Sequence, residues 1–366
     1  MSNDLLVAEK LRGNLDNYYK AMDASMKVKF EAIIPFIRDE DKIICDVGTG
    51  TGSLLFELYK LYYLDFPDRK YVGTDLMKTS IDFSNKNLKK YLVNFPNIKN
   101  KVRFIKTSAD IALNPKVDVM IYSSILHEIY SYVTRNNENE LIYEKNRIDN
   151  LNNALNICYK SLNNNGRIII RDFVRPENGT KPVFLVIEKN SLIDINCKSF
   201  GEFLQYNTLR KFSFINYKCD VMDEDKKCSI SKEYKINNNY QIYETNLQTA
   251  YEYLFRKDYC NPNDWATELN ERYGFWTEQS AEQLLISNKF KIIHKETVHN
   301  PWILQNRLKN VYILDESGYI GIPKYQMIIV GQKIITRSIN NKTKKKLIID
   351  DSLNNKYHPS RLVSIN

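Results

Sequence analysis

With 366 residues, 43% of them hydrophobic, the chain can bury one large core or two modest ones. No apolar run approaches the ~20 residues that cross a bilayer, so no membrane association is expected. The six cysteines, Cys45, Cys158, Cys197, Cys219, Cys228 and Cys260, form no C-x-x-C pair and, with four histidines, spell no zinc site, which predicts reduced structural thiols and no metal. A net charge of +9 admits a polyanionic partner such as RNA, but outside the cluster Lys342, Lys344, Lys345 and Lys346 the excess is spread along a Lys- and Asn-rich chain, so nucleic acid is admitted without being favoured.

The opening residues, MSNDLLVAEKLRGN, lack the basic-then-apolar layout of a secretory leader, and the expected location is cytoplasmic. Residues 1–38 read as helical, with Tyr19, Met22, Met26, Phe30 and Ile33 at three- and four-residue steps. The stretch KIICDVGTGTGSLLFELY follows. Ile43, Ile44, Cys45 and Val47 make a short buried strand, Gly48, Gly50 and Gly52 a tight turn, and Leu54, Leu55, Leu58 and Leu61 one face of a helix. Glycine at those turn positions permits positive φ and lets a ligand approach the backbone. The helix that begins near Ser53 aims free N–H groups at the same spot, so the turn reads as a nucleotide site. Gly48, Gly50 and Ser53 imitate a dinucleotide fingerprint. Asp46, two residues before the first glycine, argues for a ligand with an ammonium group, which S-adenosylmethionine has and NAD lacks.

A second strand, KYVGTDL, ends on Asp75 and Leu76, where a carboxylate can accept both ribose hydroxyls. Ile81, Leu88 and Leu92 mark the next helix, Val102 to Ile105 a third strand, and Asp110 comes just past it, either touching a ligand or capping a helix over ADIAL. Strand four, Val117 to Ser123, runs directly into Ser124, Ile125, Leu126, His127 and Glu128.

On DVGTGTG, GTD, SAD and VDVMIYSS running into ILHEIY, the chain resembles the class I S-adenosylmethionine-dependent methyltransferases over roughly residues 40–175, with a weaker tail at 277–334. The resemblance implies S-adenosylmethionine as cofactor. Asp46, Gly48, Thr49, Gly50 and Gly52 would contact its methionine end, Asp75 and Leu76 the ribose, Asp110 the adenine side, and Ser123 would stand at the end of strand four. It also implies an N-terminal segment over the cleft, with Tyr19 lining it or packing in the core. The Asn/Asp-Pro-Pro-Tyr/Phe turn of enzymes that methylate base amino groups or glutamine is replaced here by SSIL, which speaks against that chemistry.

Methyl transfer to a hydroxyl or protonated amine needs alignment and removal of a proton. His127 has the ordinary pKa for that task, with Glu128 to orient it or serve in its place. The competing reading is a histidine packed beneath the cofactor. A polar stretch then merges into a helix with Leu151, Leu155 and Cys158 on one face, stopped by LNNNG with Gly166 at its C′ position. Strand five, RIIIRDFV, carries Arg171 and Asp172 at its carboxyl end, as substrate contacts or as a structural ion pair.

The expected fold is an α/β, Rossmann-like seven-stranded methyltransferase sheet with its last strand antiparallel and an α-rich, aromatic insertion after strand five. The expected parts are a helical cover (1–38), a cofactor-binding core (39–176), an inserted lid or substrate subdomain (177–276) with helices at 199–211 and 246–257, completion of the core by a helix and strands six and seven (277–336), and a polar basic tail (337–366). Trp302, in NPW after strand six, is a candidate for reaching the cleft, and the insert is a candidate dimer interface. The implied activity is direct transfer to an oxygen or nitrogen of a small acceptor. The alternatives are an RNA or tRNA methyltransferase and a non-catalytic module that keeps the cofactor fold.

Overall fold

The computed structural model describes residues 23–133, 140–188, 210–212, 216–222, 229–235, 240–256, 271–315 and 317–334. All of them lie within the first of two compact units, Met1–Ile334 and Ile335–Asn366. Tyr19 and the tail 337–366 fall outside the described residues.

The apolar runs of the first half become a parallel sheet: β1 (Ile43–Val47), β2 (Lys70–Asp75), β3 (Val102–Lys106), β4 (Val117–Ser123) and β5 (Leu162–Phe173). Later in the chain β11 (Phe290–Val298) and β14 (Gln326–Lys333) complete it in the order β11-β14-β5-β4-β1-β2-β3. Strand β14 is antiparallel to both β5 and β11. This is the expected seven-stranded sheet with its last strand reversed.

Successive side chains of a strand point to opposite faces, and helices cover both faces here. Cys45, Met120, Tyr122, Ile168 and Ile170 face α5 (Glu140–Ser161) through Leu151, Leu155 and Cys158, and meet α7 (Glu278–Ser287) through Ala281 and Leu285. Ile44, Val119, Ile121 and Ile169 point the other way, toward Ile33 of α1 (Met26–Ile33) and Leu54, Leu55 and Leu58 of α2 (Ser53–Tyr62). A strand buried on both faces needs a continuous apolar run, and that is why β1, β4 and β5 stand out in the sequence. Each fully buried large apolar side chain contributes about 1.5–3 kcal/mol.

The insertion was expected to be α-rich, and among its described residues strands outnumber helices. Its described residues hold one helix, α6 (Leu247–Arg256), within the span where a helix was expected, and strands β6 (Pro182–Glu188), β7 (Arg210–Phe212) and β10 (Tyr240–Asn246). These strands pair antiparallel in the order β6-β10-β7, and β8 (Asn216–Met222) and β9 (Ser229–Lys235) pair as a hairpin. The expected helix at 199–211 lies almost wholly outside the described residues, and its last two positions are strand. Strands β12 (Val311–Asp315) and β13 (Gly318–Tyr319) come from between β11 and β14, so this chain segment joins the insertion's sheet. Tyr243, Tyr251, Tyr253, Phe255, Tyr273 and Tyr325 fill a separate core there.

Two local readings also change. Gly166 does not end a helix, because β5 already starts at Leu162 and the left-handed residue is Asn165, at φ 60°. No helix begins at Asp110, which is exposed in a turn, so it caps none.

Candidate functional site

The carboxyl ends of β1, β2, β4 and β5 meet around the glycine turn. Gly48, Gly50 and Gly52 all take left-handed φ, at +69°, +53° and +76°. A Cβ on Gly48 would stand 2.6 Å from Ile125, and one on Gly52 2.5 Å from the Phe104 ring, so space as well as φ demands glycine. Thr49 N–H donates to Thr74 O (2.9 Å), which pins the turn to β2. From α3 (Lys78–Tyr91), Ser84 donates to Gly50 O (2.6 Å) and Asn87 to Thr51 O (3.3 Å).

Asp46 is 4% exposed and makes no ion pair among the described residues. Burial pushes its carboxyl up to about 7, the Asp75 charge adds to the rise, and the Thr49 hydroxyl and Lys29 pull against it. Asp75 accepts Gly50 N–H (3.0 Å) on one oxygen and Met77 N–H (2.9 Å) on the other, and burial raises its pKa as well. The Ser80 side chain hydrogen-bonds to the same carboxylate, which leaves about one of a carboxylate's roughly four lone-pair sites for a further donor. Leu76 follows, half-buried. The Ser123 hydroxyl, at the end of β4, is buried without a hydrogen-bond partner among the described residues.

His127 sits in α4 (Leu126–Ser131) and is buried between two acids. Its Nδ1 lies 2.7 Å from Asp172 Oδ1, and its Nε2 lies 3.7 Å from Glu271 Oε2. Burial alone would lower its pKa, but Asp172, then Glu271 and Glu128, outweigh burial and lift it to about 9. Asp172, fully buried, also accepts Leu126 N–H (2.7 Å) and His127 N–H (3.3 Å) at the start of α4. Tyr273 covers the imidazole at 5.0 Å between ring centroids. Glu271 in turn accepts the Tyr132 hydroxyl at 2.9 Å. The neighbouring carboxylates thus favour the imidazolium over the neutral ring. Of the two readings of Arg171 and Asp172, the ion pair between them does not form: Asp172 pairs with His127, because neighbouring strand residues point to opposite faces.

Arg171, 2% exposed, donates to Gln326 Oε1 (2.6 Å) and Ser124 Oγ (3.4 Å), while its Nε has no partner among the described residues. Glu128, in the first turn of α4, is half-buried and near enough to His127 to help raise its pKa. Asp110 is exposed in the loop after β3. Trp302, in α8 (Pro301–Asn306), packs against the aromatic core of the second sheet.

Two residues escaped the sequence reading. Glu271 comes from a segment far along the chain, and nothing local marks it, although Tyr273 beside it belongs to the aromatic set of the insertion. Lys29 did carry a signal: it shares the inward stripe of α1 with Met26, Phe30 and Ile33, where an apolar residue belongs.

Residues 38–236 match a family described as a methyltransferase domain. No curated protein sequence matches the chain. Among solved structures, a S-adenosylmethionine-dependent methyltransferase from Methanosarcina mazei is 12% identical, with 83% of this chain and 97% of that one covered and a TM-score of 0.39. An O-methyltransferase family protein from Burkholderia thailandensis is 9% identical, with coverages of 88% and 60% and a TM-score of 0.43. Human N-acetylserotonin methyltransferase, solved with S-adenosylmethionine, is 12% identical, with coverages of 86% and 55% and a TM-score of 0.40. The chain thus spans little more than half the length of the last two.

Proposed function

Since the chain belongs to the methyltransferase-domain family of S-adenosylmethionine-dependent enzymes, we propose that Asp46, the glycine turn and Asp75 hold the cofactor and that its methyl group passes directly to an oxygen or nitrogen of a small acceptor. The observation that carries the reading is Asp46, a buried carboxylate with no ion pair among the described residues, two residues before a turn of three left-handed glycines. An acid in that position, with Lys29 nearby but not paired to it, is suited to the ammonium of a ligand.

The residues present fit the cofactor. Asp46 accepts the ammonium of its methionine end, the remaining lone-pair capacity of Asp75 accepts a ribose hydroxyl, and the Ser123 hydroxyl, without a partner among the described residues, stands at the end of the adjacent strand β4. Asp110, at the rim, is assigned to the adenine side. When bound, S-adenosylmethionine supplies an electrophilic methyl carbon on a cationic sulfur. The protein's task is then to align the acceptor and take up its proton. Glu128 is assigned to proton uptake. His127, held as an imidazolium by Asp172 and Glu271, keeps α4 and Tyr273 in place beside the cleft and acts as a positioning residue.

The test is transfer of labelled methyl from S-adenosylmethionine to panels of small phenols, carboxylic acids and amines, run beside bulk tRNA. Label in the small-molecule fraction is expected. Label confined to RNA contradicts the acceptor class and leaves the cofactor assignment standing.

A further inference from the structure

Strand parity places several polar side chains in one row. Asp46 shares the parity of Ile44, Ser123 that of Ile121, and Arg171 that of Ile169, and these apolar residues all face α1 and α2. Because β1, β4 and β5 are adjacent and Ser123 pairs with Arg171, the row reads acid, hydroxyl, guanidinium across the carboxyl ends of three neighbouring strands. Helix α1 packs against β5 and α2. Its entry is fastened to the glycine turn by Thr51, whose hydroxyl donates to Asp23 at 2.8 Å. Lys29, one turn from both Met26 and Ile33, looks from the inward stripe of α1 toward this row.

Two of these groups are cations without a carboxylate partner. Among the described residues neither Lys29 nor Arg171 makes an ion pair, and the Arg171 guanidinium touches only a neutral hydroxyl and a neutral amide, with Nε unpartnered. Asp172, its neighbour in sequence, is turned to the opposite face and engaged by His127. The two cations are close enough that, after burial, the Arg171 charge is the largest influence lowering Lys29, whose ammonium is held down to about 8 against the pull of Asp46, Asp23 and Asp172. Like charges gathered in a cleft and fed by neutral groups leave room for an anion.

We propose that Lys29 and Arg171 form a carboxylate seat which, with Asp46 and Ser123, grips both charged groups of an α-amino acid end. The inference rests on the cofactor reading above. Asp46 takes the ammonium and Lys29 with Arg171 the carboxylate carried on the same carbon, which makes the methionine end of the cofactor the natural occupant. A carboxylate on the acceptor is the other source of the same chemistry.

The test is calorimetric titration of wild-type protein, Lys29→Met and Lys29→Arg with S-adenosylhomocysteine and with 5′-methylthioadenosine, which lacks the amino acid end. Methionine suits the inward stripe of α1, and a thermal melt confirms that the variant folds. Expected is a loss of roughly tenfold or more for S-adenosylhomocysteine in Lys29→Met, partial recovery in Lys29→Arg, and no change for 5′-methylthioadenosine. Unchanged S-adenosylhomocysteine affinity, together with binding of benzoate to the S-adenosylhomocysteine-saturated protein that Lys29→Met abolishes, assigns the seat to the acceptor. Equal losses for both nucleosides, or no loss and no Lys29-dependent benzoate binding, overturn the inference alone. Wild-type protein that binds neither nucleoside overturns the cofactor reading, and the inference with it.

Discussion

Asp46 and His127 are buried ionisable groups whose pKa values both rise, for different reasons: desolvation lifts the acid, and neighbouring carboxylates, Asp172 first, lift the base. For Asp46 the consequence is a pH-dependent affinity. A ligand ammonium binds the ionised carboxylate, so protonation below about 7 competes with binding. S-adenosylhomocysteine affinity is expected to climb between pH 5.5 and 7 and to level off by about 8, with close to one proton released at pH 6. In Asp46→Asn, titrations in buffers of different ionisation enthalpy should show weak binding without that climb. For His127 the sign concerns stability. Its folded pKa of about 9 lies above the ~6.5 of an unfolded histidine, so its contribution is complete below about 6.5 and fades as pH rises through about 9. His127→Gln is expected to lower stability by on the order of 3 kcal/mol at pH 6. Melting both proteins from pH 6 to 9.5 should show the gap closing, and a constant gap would contradict the imidazolium. Asp46 and Asp75 were legible because their place depends on local order, an acid at a strand end beside a glycine turn. The partnership of His127 with Asp172 and Glu271 was not, since it joins residues 45 and 144 positions apart.

At the scale of elements, the turn between β1 and α2 is the most constrained piece of backbone in the site. Gly48→Ala places a Cβ against Ile125 at a φ of +69°, which is expected to cost about 1–3 kcal/mol. A denaturant midpoint unchanged by the substitution would mean that the turn relaxes freely. Thr51→Val removes the hydroxyl that fastens Asp23 to the turn. Faster amide exchange over Met26–Ile33, with the strands of the main sheet unaffected, is the expected result. The helices and parallel strands could be read from periods of 3.6 and 2 residues because each buries its own face. The second sheet could not. Strand β6 pairs with β10 and with β12, which begins 129 positions after β6 does, and no local pattern announces a partner at that distance. The aromatic residues of the insertion were visible in the sequence, but the sheet that organises them was not.

For the molecule as a whole, the net charge of +9 and the chemistry of the cleft point in different directions. Among the described residues no helix is long and apolar enough to cross a membrane, and no cluster of metal-ligating side chains occurs. An enzyme that acts on a small molecule should lose little acceptor affinity between 50 and 200 mM salt, whereas neutralising several phosphates makes binding fall steeply with salt. A steep salt slope in acceptor KM would favour the RNA reading. Whether the turn and its two acids form a cofactor site is decided by calorimetric titration with S-adenosylhomocysteine, with NAD as control and Asp75→Ala alongside. Expected are micromolar binding of S-adenosylhomocysteine, none of NAD, and a loss of at least tenfold in Asp75→Ala. Folded protein that binds no S-adenosylhomocysteine, or binds it equally well without the Asp75 carboxylate, would contradict a cofactor site there.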